Sequence, residues 1–204
     1  MTLLSGRVLF EDNLSSRESI SSYFGTVVTS PFGTMQYAET LPLRDHEVVL
    51  TFDDGPLPRY SNQVLDILAA QCVKATFFEI GKHASWHPEI TKQVIEAGMT
   101  VGTHTWSHQD LARNPYAKDI EQAKAEIEMG ISAVHMAAGG GKVAPFFRFP
   151  ALQHPPQLLS YLAERNIGVF STDIDFTRPT RACAGGSSRG CAAAWCCGGR
   201  AWGL

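Results

Sequence analysis

Five short apolar runs, separated by amphipathic stretches, recur between residues 48 and 172, and this alternation limits what the chain can fold into more than any single motif. The runs are Val48–Thr51, Ala75–Ile80, Met99–Thr103, Phe146–Phe149 and Ile167–Thr172. The first intervening helix is expected from about Ser61, which serves as its N-cap, with Val64, Leu65, Leu68 and Ala69 on one face. A second starts near Pro88 and ends where Gly98 supplies a C′ residue. The third and longest starts near Pro115 and sets Ile120, Ala123, Ile127, Ile131 and Val134 at spacings of three and four; the fourth covers about Pro156–Arg165. Strands that are apolar nearly throughout are covered on both faces, so the pattern predicts an α/β fold with a parallel sheet.

A chain of 204 residues supports one sizeable core. Its net charge of -3 offers no footprint for nucleic acid or an anionic membrane, so no nucleic-acid partner is expected. No window reaches the roughly 18 apolar residues of a membrane span. The first residues, "MTLLSGRVLFEDNLSSRESIS", hold only a short apolar run broken by Arg7, so no signal peptide is read here and the chain is cytoplasmic as written. "GGGK" at 139–142 reads as a loop, having no strand before it and no Ser or Thr after the lysine. From Thr177 the sequence loses Asp, Glu, Lys, Val, Ile and Phe altogether and gathers Cys183, Cys191, Cys196 and Cys197, whose spacing fits no paired zinc site. The division expected is an N-terminal extension at 1–46, a domain at 47–176, and a low-complexity, disordered tail at 177–204 that resembles a shifted reading frame or disrupted gene end.

Polar residues collect at the carboxyl ends of four strands: Asp53 and Asp54, His104, Arg148, and Asp173 with Asp175. Parallel sheets and barrels build their active sites at that rim. Asp-Gly in "TFDDGP" (51–56) is an ordinary turn signal, which accounts for one aspartate and leaves the other. In "THTWSH" (103–108) His104 and His108 stand four apart, so a helical turn would project both imidazoles to one side. Two imidazoles and a carboxylate suit zinc or another first-row divalent metal with a position left open for chemistry. One aspartate then ligates while the other serves as general base toward water.

These residues resemble the polysaccharide deacetylases of the NodB-homology type, carbohydrate esterase family 4. TFDDGP matches the family's first motif, His104-Thr105-Trp106-Ser107-His108 its H-[ST]-x-x-H motif, Arg148-Phe149-Pro150 its R-x-P motif, and "STDID" (171–175) the start of its fourth. The resemblance implies a deformed (β/α) barrel. It also implies that Asp54, His104 and His108 bind one divalent metal, zinc first and cobalt, nickel or manganese as alternatives. Asp53 becomes the catalytic base and Arg148 its charge partner. The backbone N–H of Ala151, just after R-x-P, would help stabilise the oxyanion, and Thr105 and Trp106 would shape the pocket. The implied reaction is removal of N-acetyl, less readily O-acetyl, groups from an acetylated oligo- or polysaccharide, often one of the cell envelope or outside the cell.

Two departures stand against full activity. The family's fifth motif, Leu-x-His, supplies a general acid, and no histidine follows His154, itself read as a loop residue. Asp173 or Asp175 would be the remnant of the fourth-motif aspartate that tunes that acid. The expectation is therefore a barrel missing its last strands, with a catalytically impaired homologue that only binds metal or glycan as the alternative. His46, His83, His87 and His135 fall outside the motifs and are read as surface residues.

Overall fold

The computed structural model describes residues 2–4, 31–43 and 48–175. Seven strands form one sheet: β1 (Thr2–Leu4), β2 (Val49–Gly55), β3 (Thr76–Glu79), β4 (Thr100–Thr103), β5 (Phe146–Phe147), β6 (Gly168–Val169) and β7 (Ile174–Asp175). Their spatial order is β6-β5-β4-β3-β2-β1-β7. Strands β2 to β6 are parallel, as the apolar runs require, while β1 pairs antiparallel with both β2 and β7. The antiparallel margin was not expected from sequence: three- and two-residue strands are too short to show a period. Part of the N-terminal stretch thus belongs to the same sheet, and Phe32 adds an isolated parallel bridge to Phe170.

The helices are α1 (Tyr60–Ala70), α2 (Gly81–Trp86), α3 (Pro88–Glu96), α4 (Ile120–Ala138) and α5 (Pro156–Glu164). Two boundaries differ from expectation for capping reasons. Ser61 is not the N-cap of α1: it lies buried inside the first turn, and its hydroxyl accepts the Leu57 N–H at 2.9 Å. Helix α4 starts at Ile120 rather than near Pro115, because the Asp119 carboxylate accepts the N–H groups of Glu121 and Gln122. Gly98 does close the segment after α3 at φ +72, where a left-handed residue suits glycine.

Leu65 and Leu68 of α1 pack with Phe77, Val94, Val101 and Val134 in one core cluster, whereas Ala69, expected on the same face, is exposed. A second cluster joins Ile127, Phe147, Phe149, Leu158 and Leu162 beneath α4 and α5. Phe78, Phe146 and Phe170 form a third, on the opposite face of the sheet from Phe77. Phe78 lies on β3 and Phe170 just beyond β6, three strands away, yet their ring centroids are 5.9 Å apart. A flat sheet would separate them by about 14 Å. The sheet therefore curls into a barrel-like wall, with its helices outside and its carboxyl-end rim converging. The expected loss of final strands concerns residues 176–204, which lie outside the described residues, as does His46. Among the described residues no helix is long and apolar enough to cross a membrane.

Candidate metal and acyl-transfer site

Curling brings the ends of β2, β4 and β5 together. Strand β2 runs through both aspartates, and its pairing with β3 skips one residue: Asp53 faces Phe78, Gly55 faces Glu79, and Asp54 is the bulge. The bulge turns the second carboxylate out of the sheet, with φ +70 at Asp54. Asp54 Oδ1 lies 3.1 Å from His108 Nε2 and 3.6 Å from His104 Nε2.

The two histidines do reach one side, though not by helical spacing. Residues 104–108 form a tight non-helical turn in which Thr105 and His108 take positive φ, and the rings meet at 4.9 Å. Thr105 is fully buried, with its hydroxyl accepting the His108 N–H at 3.0 Å. It shapes the turn that carries both imidazoles. Trp106 is half-buried, its ring against Gly81. Glu126 of α4 anchors the turn, its Oε1 accepting both the N–H and the hydroxyl of Ser107 at 2.6 Å. The Glu126 carbonyl also takes the Trp106 N–H. Sequence reasoning passed over Glu126; the available signal was a carboxylate three residues after Ala123 on the buried stripe of a helix.

His104 Nδ1 sits 2.7 Å from the Arg148 carbonyl, which can only accept, so Nδ1 carries the proton and Nε2 offers its lone pair to the site. Burial pushes the pKa of His104 down, which favours the neutral ring a metal requires. Asp54, His104 and His108 each present one ligand atom, all within 4.8 Å of one another. Two imidazole nitrogens and one carboxylate oxygen fit a first-row divalent cation.

Arg148 is expected to partner Asp53, and it does: Nη1 donates to Asp53 Oδ1 at 2.7 Å and to Thr51 Oγ1 at 2.8 Å. Its other donors go to the carbonyls of Phe170 and Ser171, and its guanidinium lies 4.3 Å above the Phe78 ring. Burial lowers the Arg148 pKa and the Asp53 charge opposes that. Exposure climbs across the site from 0% at Arg148 and 3% at His104 to 24% at Asp53, 40% at His108 and 58% at Asp54.

Ala151 is exposed in a short turn, Pro150–Leu152, that begins two residues after Arg148, with φ +53. Asp173 is turned to segment 31–43, accepting the Thr34 N–H and hydroxyl at 2.7 Å and the Thr40 hydroxyl at 2.9 Å. Asp175 lies in β7, and its charge acts on Arg148. His154 is a loop residue with its ring 4.8 Å from Tyr37. Of the histidines read as surface residues, His135 is exposed while His87 and His83 are half-buried, His83 with its Nδ1 2.9 Å from the Asp54 carbonyl.

A sequence model of the family described as polysaccharide deacetylase matches residues 41–169. A chitooligosaccharide deacetylase of Rhizobium leguminosarum bv. trifolii is 43% identical over 84 residues, 41% of this chain and 37% of that protein. A chitin deacetylase of Pestalotiopsis sp is 33% identical over 150 residues, 71% of this chain and 46% of that protein. Among solved structures, the Bc1960 peptidoglycan N-acetylglucosamine deacetylase superposes with TM-score 0.55 at 31% identity, covering 60% of this chain and 54% of that one. The peptidoglycan deacetylase PdaC from Bacillus subtilis gives 0.52 at 30%, covering 59% and 55%. The chain spans less than half the length of these curated relatives.

Proposed function

The chain belongs to the polysaccharide deacetylase family, and we propose that it hydrolyses acetyl groups, N-acetyl in preference to O-acetyl, on an acetylated oligo- or polysaccharide. The observation that carries this reading is the division of labour between adjacent aspartates, Asp53 bonded to a buried arginine and Asp54 turned toward two imidazoles.

Asp54, His104 and His108 would hold one divalent metal, zinc or else cobalt, nickel or manganese, which when bound would supply Lewis acidity toward the acetyl carbonyl and water. Asp53 takes the proton from the attacking water. Arg148 fixes the direction of the Asp53 carboxylate, since one Nη1 spans both Asp53 and Thr51. His104 holds its Nε2 lone pair toward the site through the proton that Nδ1 gives the Arg148 carbonyl. The Ala151 amide follows the same arginine along the chain and serves as the backbone donor to the developing oxyanion, a role that needs no side chain. A new carbon–oxygen bond forms, the carbon–nitrogen bond breaks, and the proton held by Asp53 meets the need of the departing amine.

The deciding experiment measures acetate released from acetylated chitooligosaccharides by the zinc-loaded chain, beside Asp53→Asn with bound zinc quantified. Acetate from the wild type and a loss of at least about a hundredfold in the variant, at equal zinc, are expected. Zinc bound without acetate on these or other acetylated glycans would leave a binding homologue and sink the hydrolase.

A further inference from the structure

The bulge at Asp54 creates a problem that one side chain solves. A bulged residue drops out of the ladder, so its carbonyl lacks a strand partner, and positive φ is a conformation a non-glycine residue resists. The next carbonyl, Gly55, is taken by the Ile80 N–H at 2.8 Å. That of Asp54 is met by His83 Nδ1 at 2.9 Å. A carbonyl only accepts, so Nδ1 is the protonated nitrogen of His83. The ring also packs against Trp86, with centroids 5.8 Å apart.

His83 belongs to α2, and the start of α2 is bonded to the histidine turn. The Gly81 N–H donates to the Thr105 carbonyl and the Lys82 N–H to the Trp106 carbonyl, each at 2.9 Å. Gly81 packs so closely on Gly130 of α4 that a Cβ there would stand 2.8 Å from the Gly130 Cα. One rigid element thus carries the loop holding His104 and His108 and, through His83, grips the peptide of Asp54.

We propose that His83 is a positioning residue that sets the Asp54 carboxylate against the two imidazoles. This rests on the reading of those three residues as metal ligands. The chemistry required at position 83 is an N–H donor at the place of Nδ1, not a charge and not an aromatic ring.

The test compares His83→Ala, His83→Phe and His83→Asn, whose amide N–H reaches the place of Nδ1. It reads zinc affinity by competition with a chelating dye, the visible spectrum of the cobalt form, and the thermal midpoint of the metal-free protein. His83→Ala and His83→Phe should weaken zinc about 10–100-fold and alter the cobalt spectrum, as loss of a group that orients a ligand does. His83→Asn should restore both, while the metal-free midpoints of His83→Ala and His83→Asn agree. Unchanged zinc affinity in His83→Ala overturns the proposal. So does an equal loss in His83→Ala and His83→Asn that follows the metal-free midpoint, which would mark a purely structural role. A wild-type chain that takes up neither zinc nor cobalt overturns the metal reading itself, and this proposal with it.

Discussion

The site has a dry half and a wet half, and they are fixed by different means. Arg148 and His104 are buried at strand ends, where backbone carbonyls, Thr51 and Asp53 aim their bonds. Asp54 and His108 stand in solvent on a bulge and a turn, and their geometry is imposed from behind by Glu126, Thr105 and His83. Strands can hold a group rigidly only where they run; beyond their ends, a ligand needs a dedicated support. The dry half should accordingly show its mutations as lost stability, and the wet half as lost ligand geometry.

The largest effect expected is at Arg148. Replacing it by Met removes the partner of Asp53 and the donor to Thr51 and to two carbonyls, at a cost of about 3–5 kcal/mol in urea denaturation. A loss under about 1 kcal/mol would show that the dry half is not held by this network.

Next comes Gly130→Ala on the wet side. A Cβ there meets the Thr105 carbonyl carbon at 2.4 Å, its oxygen at 2.5 Å and the Trp106 nitrogen at 2.8 Å, all backbone that must move. Overpacking costs about 1–3 kcal/mol. Because the displaced atoms belong to the histidine turn, zinc affinity should fall further than Arg148→Met makes it fall at matched folded fraction. Equal zinc losses would erase the distinction between the halves.

The smallest effect concerns Glu79, buried at the end of β3. Its Oε2 accepts the Thr91 hydroxyl, and its Oε1 has no hydrogen-bond partner among the described residues. Burial pushes its pKa up to about 7, against the Thr91 bond, which lowers it. Between pH 4.5 and about 7 the folded state binds more protons than the unfolded, so this group's contribution is fully present below pH 4.5 and is lost as pH rises to about 7. Glu79→Gln removes the penalty but brings an amide N–H₂ into the same dry space. A net gain of about 1 kcal/mol is expected at pH 8, turning into a net loss below pH 4.5, where the carboxyl is already neutral and only the cost of the buried amide remains. The difference between the two thermal midpoints across that range is the measurement, and a gain independent of pH would refute burial as the cause. His104 has the opposite sign: burial lowers its pKa below 6.5, so its contribution is fully present above 6.5 and is lost as pH falls from there through the lowered value. The slope left in Glu79→Gln should carry this mark.

The parallel strands were legible because each is a nearly continuous apolar run, and α4 because its stripe persists from Ile120 to Val134. Helix α2 was not expected: six residues, "GKHASW", carry no period, and α2 is held by bonds to the histidine turn and packing on Gly130. The metal-ligand candidates were legible because Asp, His and His are residue types with that chemistry at short spacings. Their supports were not, since Glu126 and His83 act from 19 and 29 residues away along the chain. Even the correct pairing of His104 with His108 rested on the wrong geometry, because a helix and a turn with two positive φ values both bring residues i and i+4 together.

By itself the sequence determined the α/β alternation, the rim that would carry the chemistry, and the acids and imidazoles available there. These depend on local periodicity and on residue type, which any window of the chain displays. Residue type and spacing alone left open which aspartate meets the arginine and which the histidines; the resemblance implied the assignment, and the tertiary structure makes it physical. That choice comes from one residue skipped between β2 and β3 and from a sheet curled enough for Arg148 to reach across it. Both are relations between distant segments, and burial, not propensity, sets their energies.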